Sequence, residues 1–185
     1  MQKEGLKISG KVIVRSYPAG TLHCYQTLME LGKPDLARDL LSDGKIEVET
    51  HNLIVDTSNF GIDILVQYLI SGFTGTNPFP LGIEWGEIGT GTTTPTNTDT
   101  ALTTPTNRAP VSYAFDDSFA TAAIQFFFAD GILANGTYYE CGTFFAGTST
   151  IGTGNMFNHA LFGTPYVKTS GVDTTLEIDV SIANS

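Results

Sequence analysis

Several kinds of residue are scarce in this chain, and each scarcity removes a class of protein. Two cysteines, Cys24 and Cys141, among 185 residues cannot make the disulfide framework of a stapled secreted domain, so buried free thiols are the simpler reading. The three histidines, His23, His51 and His159, have no second His, Cys or carboxylate at a zinc-site interval. No stretch reaches the about 20 apolar residues that a bilayer-spanning helix needs, and the opening MQKEGLKISG lacks the apolar core of a signal peptide. Synthesis in a cytoplasm and no membrane partner are expected. Basic residues are also few: nine Lys and Arg stand against nineteen Asp and Glu, for a formal charge of −10. They are placed unevenly, at Lys3, Lys7, Lys11, Arg15, Lys33, Arg38 and Lys45, with only Arg108 and Lys168 beyond. An acidic surface repels phosphate backbones, which disfavours direct nucleic-acid binding.

Catalytic motifs are missing as well. There is no G-x-S-x-G nucleophile elbow, no phosphate loop ending in Gly-Lys-Ser/Thr and no G-x-G-x-x-G between strand and helix. Gly89-Thr90-Gly91 and Gly152-Thr153-Gly154 precede no helical pattern and read as turns. Asp116, Asp117, Asp130, Glu140, Glu84 and Glu87 are carboxylates that folding could gather into a glycosidase pair or an oxygen-ligand calcium site. Neither use has a supporting pattern, so the expectation is no enzyme, no catalytic residue, no cofactor and no resident metal.

What the chain does have is enough apolar surface to fold: 41% hydrophobic residues, with twelve Phe and seven Tyr. Residues 8–15 alternate as a strand does, and residues 46–55 form another, bent near His51-Asn52. Between them the apolar positions from Tyr25 recur at helical spacing, with a short helix near 34–42 opened by Pro34. Ile62, Leu65, Val66, Leu69 and Ile70 fall on one stripe, predicting a helix near 59–71 packed against a sheet. Strands follow at 81–88, 109–115, 120–128, 137–145, 156–162 and 176–182, and Asp130-Gly131 and Asn135-Gly136 are hairpin signals. About eight short strands without repeated crossover helices predict a single domain over 1–185, an antiparallel, jelly-roll-like β-sandwich.

Two features fall outside that regularity. Residues 89–107, GTGTTTPTNTDTALTTPTN, make a long Thr-rich loop whose apolar anchor is Leu102. Asp99 and Thr100 can supply the turn hydrogen bonds that pin it while Leu102 plugs into the domain. Glu140 interrupts an apolar strand, and a lone acid there must face solvent or be paired; Arg108 is the expected partner, closing the base of the loop.

The order of several segments resembles a diffuse group of tailed-bacteriophage virion proteins of tail, baseplate, fibre and head-decoration type. The segments are HNLIVDTSNFGIDILVQYLI at 51–70, IEWGEIGTGTTTPTNTDTALTTPTNR at 83–108, GTYYECGTFF at 136–145, NMFNHALF at 155–162 and VKTSGVDTTLEIDVSI at 167–182. Asp99, Thr100, Leu102 and Arg108 fit the group's middle segment. Thr-Asn before Arg108, where an acid is usual, and Cys141-Gly142-Thr143-Phe144, where the group is more aliphatic, depart from it. The resemblance implies a β-sandwich component of a virion, present in multiple copies, assembled after synthesis in a host cytoplasm.

The expected function is therefore a non-enzymatic assembly protein that contacts copies of itself, as a guessed trimer, and other virion proteins. A carbohydrate- or receptor-binding module at a fibre tip is the alternative. In the assembly reading, residues 1–9 as an extended arm, or the loop at 89–107, would lie across a neighbouring subunit. The basic amino-terminal region would then meet acidic residues of the carboxy-terminal part.

Overall fold

A computed structural model describes residues 6–55, 82–118 and 120–184. The predicted helix near 59–71, with Ile62, Leu65, Val66, Leu69 and Ile70, lies outside the described residues. The chain runs β1 (Leu6–Pro18), α1 (Thr21–Glu30), α2 (Pro34–Ser42), β2 (Lys45–Ile54), β3 (Ile83–Gly89), β4 (Pro105–Ser118), β5 (Thr121–Phe128), β6 (Gly136–Phe145), β7 (Asn155–Lys168) and β8 (Val172–Asn184).

The sheet is antiparallel, as expected, but it is a closed barrel rather than an open sandwich. Its order is β1-β2-β7-β6-β3-β4-β5-β8, and β8 returns to β1 over a long register from Leu6↔Asn184 to Pro18↔Val172. That pairing, with Leu53↔His159 and Ile54↔Asn158 joining β2 to β7, removes the free edges that two packed sheets would leave. Of the expected arm, residues 6–9 are part of β1 and pair with the end of β8, while residues 1–5 lie outside the described residues. The Asp130-Gly131 and Asn135-Gly136 turns do not close a hairpin either. They lie in a connection that crosses a barrel end, because β5 pairs with β4 and β8 while β6 pairs with β3 and β7.

Alternation along the strands fills the interior. Val12 and Val14, Phe126 and Phe128, Cys141, Ala160, and Leu176 and Ile178 meet in one buried cluster. Gly86 belongs to this packing, since a Cβ there would collide with the Phe126 ring across the barrel. At the barrel end where β2 stops and β3 begins, Ile83, Ile124, Phe157, Val180 and Ile182 border a cavity of about 1000 Å³.

Two outer walls carry further layers. On one, α1 and α2 pack Leu22, Tyr25, Ala37 and Leu41 against Tyr17 and Phe127. Pro34 opens α2, where its missing N–H costs nothing. α1 follows Gly20 at φ 89° and has no side-chain cap of its own; the carboxylate of Asp173, from β8, accepts the Leu22 amide at 2.9 Å in its place. The other covered wall is the candidate site.

Candidate functional site

Strand alternation places Trp85 and Glu87 of β3, Glu140 and Phe144 of β6, Arg108 of β4 and His159 of β7 on the outside of the barrel. Residues 90–104 fold back over this wall and bury it. Leu102 is 5% exposed and packs with Val55, Phe144 and Met156, as an anchor should. Thr90 N–H donates to Thr104 C=O at 2.9 Å, and the Thr106 hydroxyl to Ile88 C=O at 3.0 Å, closing the base of the loop.

Glu140 is the centre of the fastening. Its carboxylate accepts the amides of Gly91 at 3.0 Å, Thr103 at 3.0 Å and Thr104 at 2.7 Å, and it lies 3.0 Å from His159 Nε2. Gly91 is required here, because a Cβ would collide with that carboxylate. An irregular segment cannot satisfy its own amides, so a buried acceptor supplies what a ladder would. His159 Nδ1 lies 2.7 Å from Asp99 Oδ2, and Asp99 also accepts the Thr96 amide at 2.9 Å and the Thr96 hydroxyl at 2.6 Å. Asp99 thus pins the loop through a turn of its own and through a histidine that its spacing did not single out. Thr100 is exposed, so the anchoring falls to its neighbours.

The predicted Arg108–Glu140 pair does not form, for a reason of register. β3 lies between β4 and β6, so Arg108 stands opposite Glu87 while Glu140 stands opposite Gly89. Arg108 Nη1 donates to Glu87 Oε1 at 2.5 Å, with 1% and 0% of the two side chains exposed. The guanidinium also sits 5.0 Å from the Trp85 ring centroid and 4.9 Å from that of Phe144, π faces that attract it. Glu87 accepts the Gly152 amide at 2.7 Å, fastening the turn between β6 and β7. Glu87 and His159 are the residues that sequence reasoning missed as partners. The available signal was that each, like Glu140, interrupts an otherwise apolar strand.

Electrostatics follow the geometry. Burial alone would push the Glu140 carboxyl up, but bonds from His159 and from the Thr104, Thr103 and Gly91 amides outweigh it and hold the group below its ordinary value. Burial alone would lower His159; its bonds to Glu140 and Asp99 and their charges hold it above. Asp99, raised by burial but bonded by Thr96 and His159, is held low. Each ring nitrogen of His159 faces a carboxylate oxygen, an arrangement that favours the protonated ring, in which both nitrogens donate. Cys141 is buried and its thiol is pushed up, away from the thiolate that a nucleophile needs. Among the described residues no His, Cys, Asp and Glu group is arranged to hold a metal, and no helix is long and apolar enough to cross a membrane.

The fold and this wall define the class: an eight-stranded closed antiparallel barrel with one long loop fastened to its outside by buried charge. No family model, curated protein or solved structure matches the chain.

Proposed function

We propose that this chain is a non-enzymatic structural subunit of a tailed-bacteriophage particle, associating with copies of itself, in a threefold arrangement, and with other virion proteins. The observation that carries the reading is the use made of buried charge. Glu140 fastens a loop, Glu87 with Arg108 fastens a turn and a strand, and Lys168 Nζ bonds Asp130 at 2.6 Å and Thr169 C=O at 2.8 Å beside the β7–β8 turn. Groups tied to two or more partners in the resting fold make a rigid scaffold, which suits a particle subunit. The order of segments, which resembles that of tailed-phage virion proteins, supports the same reading.

The mode of contact differs from an exchange of loops and opposite charges. Residues 90–104 are spent on their own barrel. Lys11, Arg15, Arg38 and Lys45 each have an acidic partner in the same chain, at Glu49, Glu177, Asp35 and Glu47. Contacts between subunits would therefore be mainly apolar, drawing on residues such as Leu31, Leu36, Ile132 and Val167, which are 53–63% exposed. A stable contact should bury more than about 1,000 Å². Sedimentation velocity at micromolar concentration, with rebinding to particles that lack the subunit, tests the proposal. An oligomer that rebinds is expected; a strict monomer that fails to rebind overturns it.

A further inference from the structure

We propose that Asn135 is a site of self-modification, at which the main-chain nitrogen of Gly136 displaces the side-chain amide and leaves an aspartate or an isoaspartate. The inference does not rest on the assembly reading. Attack of a main-chain nitrogen on the preceding side-chain amide is opposed by the bulk of the attacking residue, by hydrogen bonds that hold the amide, and by a rigid local backbone. Asn135 meets little opposition on each count.

Of the chain's asparagines, Asn135 alone precedes a glycine. Both residues are exposed, and a Cβ built on Gly136 would meet nothing within 4 Å, so no neighbouring group blocks the approach. Among the described residues the Asn135 side chain makes no hydrogen bond. Two other asparagines show the contrast. Asn107 Nδ2 donates to Ile132 C=O at 2.8 Å, and Asn158 Oδ1 accepts the Thr143 amide at 2.9 Å and its hydroxyl at 2.8 Å. They precede Arg108 and His159, whose side chains crowd the attacking nitrogen. Asn135 also lies in a bend just before β6, and Gly136 is the first residue of that strand, in the last pair of its ladder with β7, opposite Lys168. Ladder ends open most readily, and glycine adds the widest choice of backbone angles.

In the reaction, hydroxide takes the Gly136 N–H proton and the nitrogen attacks Asn135 Cγ. The new N–Cγ bond closes a cyclic imide as the bond from Cγ to the amide nitrogen breaks, and that nitrogen leaves as ammonia with a proton from water. Water then opens the imide. Breaking the N–Cγ bond restores the main chain and leaves aspartate; breaking the other N–C bond leaves the main chain running through Cγ, as isoaspartate. The Gly136 nitrogen regains its proton either way. The net change is hydrolysis of one amide to a carboxylate and ammonia, and it makes the formal charge of −10 more negative by one.

The test is prolonged incubation of the folded full chain at pH 8 and, in parallel, at pH 5, read by intact mass, peptide mapping and enzymatic methylation of isoaspartyl carboxyls. Asn135 should convert, faster at pH 8, while Asn107 and Asn158 keep their amides. The rate should lie within about tenfold of that in the urea-unfolded chain, because the fold leaves this point open. Gly136→Ala, which the open space accommodates, should keep the melting midpoint within a few degrees and slow conversion about tenfold, since a Cβ opposes the ring-closing geometry. An Asn135 amide that survives in the folded chain overturns the proposal. So does equal conversion at Asn107 or Asn158, or a rate indifferent to pH or to Gly136→Ala.

Discussion

The barrel covers two of its outer walls by opposite means. Over β3, β6 and β7 it lays an irregular loop, held by Glu140, His159 and Asp99 with Leu102 as its apolar anchor. Over β1, β4, β5 and β8 it lays two helices, held by Tyr17, Leu22, Tyr25, Ala37, Leu41 and Phe127. A helix satisfies most of its own backbone and needs a partner only at its ends, so apolar area does most of the holding, with Asp173 answering the start of α1. A loop brings unsatisfied amides with it, and burying them requires acceptors strong enough to offset desolvation. On the loop wall, charge is buried where irregular backbone needs it, and there the ion cluster marks a fastening.

Breaking the loop wall at its centre should have the largest effect. Glu140→Ala strands three amides and a buried imidazolium, and should cost about 3–5 kcal/mol in denaturant unfolding, with exchange protection lost at Gly91, Thr103 and Thr104. A loss under about 1 kcal/mol would mean that the loop stands without the carboxylate. On the helical wall, Leu22→Ala should cost about 2–3 kcal/mol, the low end for a buried leucine because α1 packs at the periphery.

pH should separate the walls further. Folding raises His159 above its ordinary 6.5 and lowers Glu140 and Asp99 below their ordinary 4.5 and 3.8. The imidazole contribution is complete below about pH 6.5 and fades as pH rises through the higher folded value; the carboxylate contribution is complete above about pH 4.5 and fades as pH falls through the lower ones. Exchange protection at Gly91, Thr103 and Thr104, corrected for intrinsic rates, should therefore peak between about pH 4.5 and 6.5. The cost of Leu22→Ala should be the same at pH 5.5 and 7.5. The smallest effect belongs to Arg38→Ala: its pair with Asp35 is 57% and 86% exposed, and its loss should register below about 0.5 kcal/mol in the same unfolding assay.

Local patterning made much of this legible. The alternating runs at 8–15 and 176–182, and the apolar run at 120–128, are strands whose inward residues, Val12, Val14, Phe126, Leu176 and Ile178, need one face of a sheet. Pro34 announced α2, and the Asp99 turn and Leu102 announced the loop's attachment. Closure was not legible, since a sandwich and a barrel ask for the same alternation and differ only in whether β8 returns to β1 and β2 reaches β7. The partner of Glu140 was hidden for the same reason. That β3 separates Arg108 from Glu140 is a fact of strand order, and His159 meets carboxylates 19 and 60 residues away in sequence, intervals that no local motif encodes.

The claim that the buried charge of this wall fastens the loop is tested most directly at His159 itself. Nitrogen-15 NMR of the ring, followed from pH 5 to 8, reads the protonation of each nitrogen. Both Nδ1 and Nε2 should carry protons at pH 6.5 and lose the imidazolium signature only above it, with Glu140→Gln moving that loss downward. A neutral ring at pH 6.5, with one nitrogen unprotonated and indifferent to Glu140→Gln, would contradict the account.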